Sequence, residues 1–297
     1  MLVDKYGRPL KSIRLSVTTR CNLRCFYCHN EGVENSPKEL SPEDYEFLFK
    51  IARNLGIKKL KITGGEPLLR KDLEEIVRYG KKYFNEVSLT TNGTLLAERA
   101  KSLKQSGLDR VNISMDSLRR ERYREITGED YLNSVIEGVE QSIKSGLNPV
   151  KINVVIFPKI NDNEIFDFIE FSRNYGVIVQ FIQPVGNEAP KYDFQSLEKF
   201  LEANSNHIKF NELHRRKQYY LGGDFEGGIV EVVRPMHNTD FCMNCTRLRV
   251  TPDGKLKPCL LRNDYVDAGE SILKRDEKSL IDAFIKVNKI RRPFWVD

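Results

Sequence analysis

Three cysteines, Cys21, Cys25 and Cys28, stand close together near the start of the chain with the spacing C-x3-C-x2-C. We call them the first cysteine group. Three thiolates can hold a [4Fe–4S] cluster and leave one iron open, whereas the usual ligation uses four cysteines. A zinc site would need a fourth ligand, and His29, directly after Cys28, would have to fold back to supply it. The spacing therefore favours an iron–sulfur cluster whose open iron can bind another molecule.

A second sequence with chemical potential is Thr-Gly-Gly-Glu-Pro at residues 63–67, which directly follows an apolar run. Its two glycines let the backbone approach a ligand closely, and the carboxylate of Glu66 can accept hydrogen bonds from an ammonium group. Both this sequence and the first cysteine group come at the end of a predicted strand. Because ligands of α/β folds bind at the carboxyl ends of the strands, we expect the two segments to meet there.

The other three cysteines, Cys242, Cys245 and Cys259, form a second cysteine group with the spacing C-x2-C-x13-C. Asp253-Gly254 predicts a turn between two short strands, which would bring Cys259 back toward the other two thiols. Three thiolates again suit a cluster with an open iron. A zinc site that takes His237 as its fourth ligand stays open as an alternative.

Two arginines, Arg247 and Arg249, lie two positions apart beside the second cysteine group. On a strand, side chains two positions apart point to the same face. A pair of guanidiniums on one face can bind a phosphate or the edge of a purine. An ordinary solvent-exposed pair is the alternative, and the neighbouring cysteines favour the binding role.

The elements that must position these residues alternate along the chain as strand and helix. Apolar runs predict six strands, at Ile13–Val17, Lys59–Thr63, Glu86–Thr90, Arg110–Ser114, Val150–Val155 and Val177–Ile182. Helical patterns lie at 42–55, Asp72–Lys82, Ala97–Ser106, Leu132–Ser145, Glu164–Tyr175 and Ser196–Glu202. Successive strand–helix units predict a parallel sheet with all of its carboxyl ends on one rim.

Composition sets wider limits on the function. The 297-residue chain has a net charge of +6, which favours an anionic substrate but does not by itself indicate nucleic acid. We interpret the basic run at 119–124 as a solvated face. No apolar run has the length of a membrane span, and the first residues lack the regions of a signal peptide. Six cysteines without a secretion signal predict a reducing cytoplasm and metal binding rather than disulfides.

Together the motifs resemble the radical S-adenosylmethionine (SAM) superfamily and, more closely, the GTP 3′,8-cyclase family of molybdenum cofactor biosynthesis. The first resemblance rests on C-x3-C-x2-C, with Tyr27 before the last cysteine, and on Gly-Gly-Glu-Pro. The second adds the C-x2-C-x13-C spacing and sequences along nearly the whole chain, at 4–9, 15–21, 61–68, 89–93, 111–117, 150–155, 245–249 and 253–254. The resemblance implies an α/β fold in which residues 1–205 form a partial (β/α)6, TIM-like barrel. A small C-terminal iron–sulfur region, 206–297, would close its open side.

The resemblance also implies an activity and two [4Fe–4S] clusters. The cluster on the first cysteine group would cleave SAM to a 5′-deoxyadenosyl radical, which takes the C3′ hydrogen of GTP. Carbon C3′ then attacks C8 of the guanine and gives 3′,8-cyclo-7,8-dihydro-GTP. The cluster on the second cysteine group would hold the guanine through its open iron.

Individual site residues follow from matching positions in the family. The resemblance assigns SAM to Tyr27, Gly65 and Ser114. It assigns GTP to Arg14, Lys61, Thr90, Lys151, Arg247, Leu248 and Arg249. It counts Arg247 and Arg249, with the first cysteine group, as catalytic. A triphosphate carries about four negative charges, so several converging cations are expected.

The resemblance further implies an electron donor of the flavodoxin or ferredoxin type and a downstream cyclic pyranopterin monophosphate synthase. It implies a cytoplasmic protein without nucleic-acid or membrane partners. Bacterial relatives end in Gly-Gly and this sequence does not, so we expect its core chemistry to proceed without such a tail. Two alternatives stay open: another radical SAM enzyme with an auxiliary C-terminal cluster, such as a peptide maturase, and a non-enzymatic iron–sulfur or zinc protein.

Overall fold

The protein is described from a computed structural model, over residues 1–33, 37–186, 192–211 and 213–295. Its strands are β1 Ser12–Ser16, β2 Lys59–Thr63, β3 Glu86–Thr91, β4 Arg110–Ser114, β5 Val150–Val155, β6 Ile178–Ile182, β7 Ser205–Asn211, β8 Arg216–Leu221, β9 Ile229–Val233, β10 Arg247–Val250, β11 Lys255–Lys257 and β12 Val266–Asp267. Its α-helices are α1 Pro42–Asn54, α2 Leu73–Tyr83, α3 Leu96–Gln105, α4 Arg120–Thr127, α5 Leu132–Lys144, α6 Ile165–Tyr175, α7 Phe194–Ala203, α8 Thr239–Met243, α9 Gly269–Leu273 and α10 Glu277–Ile290.

The strands form one sheet in the order β12-β11-β10-β1-β2-β3-β4-β5-β6-β9-β8-β7. The eight central strands, from β10 to β9, run parallel. The outer strands pair antiparallel. Over the described residues the two end strands do not pair with each other, so the sheet stays open. The prediction of an α/β fold with a partial, TIM-like barrel is confirmed.

The C-terminal third of the chain extends this sheet at both edges. Strand β9 pairs with β6, and β10 pairs with β1, in both cases parallel. The resemblance implied a separate C-terminal region from residue 206. In the structure β7 begins at Ser205, and the strands after it continue the same sheet. The boundary at that residue stays a prediction.

The helices begin and end where local signals indicate. Helix α1 has a capping box, in which the Ser41 Oγ accepts the Asp44 N–H at 3.2 Å and the Asp44 carboxylate accepts the Ser41 N–H at 2.9 Å. Helix α6 ends at Gly176, whose φ of 62° is in the left-handed region that favours glycine. We did not predict α4. Its arginines form ion pairs, such as Arg120 with Asp130 at 2.6 Å, as suits a solvated face.

The two faces of the parallel sheet differ in chemistry. On β4, Val111 and Ile113 are fully buried in the apolar core, which packs between the sheet and the helices. The alternate residues, Arg110, Asn112 and Ser114, line cavities on the other face. The inside of the barrel is therefore polar and charged along its length. None of the helices within the described ranges is both long and apolar enough to cross a bilayer.

Candidate active site

Two cavities lie inside the partial barrel. The upper cavity, at the carboxyl ends of the strands, has a volume of about 660 Å³, and the lower cavity, toward their amino ends, about 890 Å³. Side chains such as Arg14, Thr90, Asn153 and Arg247 line both. A ligand bound in the upper cavity can therefore extend one end into the lower cavity.

The first cysteine group lines the upper cavity, as its position after β1 predicted. Its loop is attached to the end of α4, because the Arg24 N–H donates to the Thr127 carbonyl at 2.8 Å and the Phe26 N–H to the Ile126 carbonyl at 3.2 Å. Each cysteine in this group is a free thiol. Soft thiolates in a shared cavity are the donor set that iron–sulfur clusters use.

The Gly-Gly-Glu-Pro segment packs directly on the backbone that precedes Cys21. The Gly65 N–H donates to the Thr18 carbonyl at 2.8 Å, and the Glu66 N–H to the Arg20 carbonyl at 2.7 Å. A Cβ atom on Gly65 would lie 2.2 Å from the Arg20 carbonyl oxygen. Glycine is therefore required here for the close approach of two backbones, and the segment supports the cysteine loop while Gly65 itself lines the cavity.

The expectation that the Glu66 carboxylate faces a ligand is not met in this structure. The side chain is fully buried and accepts the Leu68 N–H at 2.9 Å, the Thr91 hydroxyl at 2.7 Å and the Asn92 N–H at 2.7 Å. Burial raises the pKa of Glu66 to about 7, against the opposing effect of these donors. The carboxylate thus joins the loops after β2 and β3.

The three residues assigned to SAM by resemblance, Tyr27, Gly65 and Ser114, all line the upper cavity. The Tyr27 hydroxyl donates to the Asp116 carboxylate, which also accepts the Val155 N–H at 2.7 Å. Burial raises the pKa of Asp116 to about 6, while the Tyr27 hydrogen bond lowers it. Tyr27 is therefore fixed by a partner that sequence reasoning missed.

The second cysteine group lines the same upper cavity. Cys242 lies in α8, and the predicted turn at Asp253-Gly254 lets β11 return antiparallel to β10 before Cys259. His237 does not line this cavity; its ring lies 4.0 Å from the ring of Trp295. Within the described ranges no three His, Cys, Asp or Glu side chains surround a single metal position. Three thiolates that line one cavity are a donor set that an iron–sulfur cluster can use.

Two buried arginines hold the backbone of the second cysteine group. The Arg8 Nη1 donates to the Cys242 carbonyl at 2.9 Å, and the Arg291 Nη2 to the Cys245 carbonyl at 2.6 Å. Asp4 pairs with both guanidiniums, at 2.9 Å to Arg8 Nη2 and 3.6 Å to Arg291 Nε. We call Asp4, Arg8 and Arg291 the terminal clasp. These contacts give Asp4 and Arg8 a structural role within the family motif at residues 4–9. The two guanidiniums and one carboxylate together carry one net positive charge beside the second cysteine group.

Cations on neighbouring strands converge between the two cysteine groups. Arg14 on β1 lies beside Arg249 on β10 in the strand register, with Arg247 on the same face. No hydrogen bond or ion pair joins the guanidinium of Arg247 to side chains or carbonyls of the described residues. Burial, then Arg14 and Arg249, lower the pKa of Arg247 to about 9. The nearby Cys245 thiol opposes that shift, and a guanidinium beside two other cations and without a hydrogen-bond acceptor can bind an anionic ligand.

Two lysines continue this positive surface into the lower cavity. Burial and nearby guanidiniums lower the pKa of Lys61 well below its ordinary value, and its Nζ donates to the Asn112 Oδ1 at 3.0 Å. Burial likewise lowers the pKa of Lys151 to about 8, although Glu231 opposes that shift through an ion pair. Lys61 therefore has a neutral hydrogen-bond partner and stays available to an anion. The charge of Lys151 is partly neutralised by Glu231.

Several functional candidates at the bottom of the barrel escaped the sequence analysis. Asn112 Nδ2 donates to Gln180 Oε1 at 3.0 Å, and Gln180 Nε2 donates to Glu231. Glu231 also pairs with Arg216 at 3.4 Å. The available signal was the polar residue at alternate positions of an otherwise apolar strand, as in Val-Asn-Ile-Ser on β4.

Thr90 and Leu248, both assigned to GTP by resemblance, differ in placement. The Thr90 Oγ1 is buried and lacks a hydrogen-bond partner among the described residues, so it is available to a ligand. The Leu248 side chain is fully buried in the apolar core on the opposite face of β10 from its two arginine neighbours. The alternation of the strand directs this side chain away from the cavity, so only the backbone of Leu248 could contact GTP, and its assignment to GTP stays a prediction.

Comparison with known proteins places the chain in a family. Residues 15–172 match the model of the Radical SAM superfamily, and residues 177–295 match that of Molybdenum Cofactor Synthesis C. Solved structures show the same fold at low identity. The Streptococcus suis SuiB structure bound to S-adenosylmethionine has a TM-score of 0.67 at 15% identity, covering 94% of this chain and 68% of that one. The structure of native anSMEcpe with bound AdoMet has a TM-score of 0.64 at 20% identity, covering 96% and 84%.

Curated relatives match over nearly the whole chain. The chain is 46% identical to a probable GTP 3′,8-cyclase of Pyrococcus abyssi, covering 99% of this chain and all of the relative. It is 46% identical to a protein of the same name from Methanothermobacter marburgensis, covering 98% of each. A third such relative, from Thermococcus kodakarensis, is 45% identical. The chain belongs to the radical SAM superfamily and, within it, to the family of GTP 3′,8-cyclases.

Proposed function

We propose that this chain converts GTP into 3′,8-cyclo-7,8-dihydro-GTP, the first step of molybdenum cofactor biosynthesis. The observation that carries the proposal is the position of Arg247, an unpaired guanidinium among other cations in a cavity lined by two groups of three thiols. A nucleoside triphosphate has the charge and the length to extend from one cysteine group into the lower cavity. The family membership gives the reaction.

In this proposal the thiolates of the first cysteine group would hold a [4Fe–4S] cluster that binds SAM, and those of the second group would hold another cluster. When bound, the first cluster and SAM supply the radical that removes the C3′ hydrogen of GTP. The protein's own residues bind and orient the two ligands. Tyr27, Gly65 and Ser114 form the part of the wall that would face SAM.

The cations divide the binding of GTP between the two cavities. Arg247 and Arg249 belong to the strand beside the second cysteine group, so they would bind the end of GTP near the guanine and the first phosphate. Lys61 and Lys151 lie in the lower cavity and would receive the outer phosphates. Arg14 and Thr90 line the space between these two positions. Such binding at both ends would fix the ribose, whose C3′ must lie close to SAM.

The experiment is an anaerobic incubation of the reconstituted protein with SAM, a strong reductant and GTP carrying deuterium at C3′. We expect 5′-deoxyadenosine one mass unit heavier, together with a GTP isomer of changed retention. ATP in place of GTP serves as the control and should give no cyclised product. Formation of 5′-deoxyadenosine without any product from GTP would point instead to another radical SAM reaction, such as peptide maturation.

The metal assignment has its own test. Protein reconstituted without oxygen should hold about eight irons, and Cys21→Ala and Cys259→Ala should each lose about four of them. Cys21→Ala should also lose SAM cleavage. Cys259→Ala should keep SAM cleavage, because the first cysteine group is intact. Stoichiometric zinc in place of iron would refute the proposal.

We also propose that a one-electron donor of the flavodoxin or ferredoxin type reduces the first cluster, since its chemistry consumes an electron. A cyclic pyranopterin monophosphate synthase would take up the product. Both partners are proposed from family membership, and each can be tested by whether its addition replaces the chemical reductant or consumes the cyclised nucleotide.

A further inference from the structure

The carboxylate of Glu31 lies inside the group of cations proposed to bind GTP. It accepts two hydrogen bonds from Arg14, one of them at 2.8 Å from Nε, and it pairs with Arg249 as well. The Thr63 hydroxyl donates to it at 3.3 Å. Only 11% of the side chain is exposed. Glu31 thus holds, with its own two oxygens, the guanidiniums that a phosphate would need.

The backbone at Glu31 is held in an unusual conformation. Its φ of 54° and ψ of 17° belong to the left-handed region, which costs energy for a residue with a side chain. Its N–H donates to His29 Nδ1 at 3.1 Å, within a short turn just after Cys28. The ion pairs with Arg14 and Arg249 help to hold this turn, together with the hydrogen bond from the Gly32 N–H to the His29 carbonyl at 2.8 Å.

Charge decides what happens when a nucleotide arrives. Burial alone would raise the pKa of Glu31, but Arg14 and Arg249 hold it below its ordinary value, so the side chain is an anion at neutral pH. A carboxylate and a phosphate that compete for the same guanidiniums repel each other strongly in a partly desolvated cavity. The carboxylate, which is bidentate on Arg14 and accepts one hydrogen bond from Arg249, cannot share those same N–H groups with a phosphate.

We propose that Glu31 is an internal counter-ion that the phosphates of the substrate displace, and that it makes the site selective for the number of phosphates on the ligand. The inference rests on the proposed function, since it assumes that GTP binds at these cations. A ligand with few negative charges gains little from the guanidiniums and leaves Glu31 in place. A triphosphate provides several oxygens and more charge, so it can replace the carboxylate on Arg14 and Arg249.

The test compares four ligands that share the guanine and the ribose but differ in charge: GTP, GDP, GMP and guanosine. Dissociation constants are measured by anaerobic equilibrium dialysis on the reconstituted holoprotein with SAM and without reductant, so that no turnover occurs. The variant is Glu31→Gln. The matched control is Glu74→Gln, which removes a carboxylate that is also paired with a guanidinium, Arg99, but on the outer helices.

We expect the ratio of native to Glu31→Gln dissociation constants to grow with the charge of the ligand. It should be near one for guanosine and reach at least about tenfold for GTP, because removing a competing anion helps each added phosphate. The Glu74→Gln ratios should stay near one for all four ligands. Iron content equal to that of the native protein confirms that the variant is folded. If it holds less iron, Glu31→Asp replaces it, because this shorter anion cannot reach both arginines and should give intermediate ratios.

Two results would overturn the inference. A ratio that is the same for guanosine as for GTP would mean that Glu31 acts on the base or on the fold. A ratio below one for GTP would mean that Glu31 binds the substrate directly. Failure of the native protein to bind GTP would remove the proposed function itself, and with it this inference. Product formation by the native protein, together with flat ratios, would remove only the role of Glu31.

Discussion

Replacing Arg247 by methionine should stabilise the ligand-free protein and at the same time remove its response to GTP. The pKa of Arg247 falls from 12.5 to about 9, first because of burial and then because of Arg14 and Arg249. A base whose folded pKa is lowered destabilises the folded state at every pH below that value. At 1.36 kcal/mol for each tenfold change in proton affinity, keeping this charge at pH 7 costs about 5 kcal/mol. Water in the cavity screens part of this charge. We therefore expect Arg247→Met to raise the free energy of unfolding by about 2 kcal/mol.

The assay is thermal unfolding of the reconstituted protein at pH 7 without oxygen, with and without GTP. A gain of about 2 kcal/mol corresponds to an increase of roughly 4 °C in Tm for a chain of this size. The native protein should be stabilised further by GTP, by about 2.7 kcal/mol at a concentration of 100 times Kd. Arg247→Met should lose most of that second increase, and it should form no cyclised product while still cleaving SAM.

Arg249→Met is the matched control for this experiment, because the two arginines share one face of β10 but differ in their partners. Burial lowers the pKa of Arg249 as well, but its pairing with Glu31 opposes that shift, so Arg249→Met should stabilise the protein less than Arg247→Met does. We therefore expect a larger increase in Tm for Arg247→Met than for Arg249→Met. If Arg247→Met unfolds at or below the native temperature, or keeps the full stabilisation by GTP, Arg247 does not act as an uncompensated cation that waits for substrate.

Three further predictions concern the supports of the site. Gly65→Ala should weaken SAM binding and lower Tm, because its Cβ would lie 2.2 Å from the Arg20 carbonyl oxygen; unchanged SAM affinity in dialysis would contradict this. Glu66 has a folded pKa of about 7, above the ordinary 4.5, so its contribution is complete below pH 4.5 and is lost as the pH rises through 7. Denaturant unfolding should therefore show the native protein losing about 3 kcal/mol relative to Glu66→Gln between pH 4.5 and pH 8, and parallel curves would refute it. Arg291→Gln should cost the protein up to four of its irons and leave SAM cleavage intact, whereas Lys5→Gln, at an exposed site, should change neither.

Much of the fold was predictable because it is encoded locally. Each of the strands β1 to β6 is a short, largely apolar segment that a helix follows along the chain. The first helix carries its own start signal at Ser41. The first cysteine group and Gly65 could be placed at one rim because parallel strands share their carboxyl ends. These inferences needed no knowledge of contacts between distant parts of the chain.

What sequence reasoning missed depends on such distant contacts. Glu31 is two residues beyond His29 in a polar loop, and nothing nearby indicates that Arg14 and Arg249 will bind it. Glu66 sits next to two glycines, which suggested a ligand contact, yet its donors come from two separate loops. The orientation of the Leu248 side chain, by contrast, was predictable from strand alternation alone.

The pairing of β1 with β10 has a consequence for how the protein folds. The two strands come from opposite ends of the chain, so closing them costs loop entropy and belongs late in folding. Their meeting also brings Arg14, Arg247 and Arg249 together, and like charges oppose that step. A polyanion present at this stage would screen the repulsion between the three arginines and accelerate folding. Refolding should therefore be faster with inorganic triphosphate than with chloride at equal ionic strength. The residues that select the substrate would then also set the rate at which their own binding site is assembled.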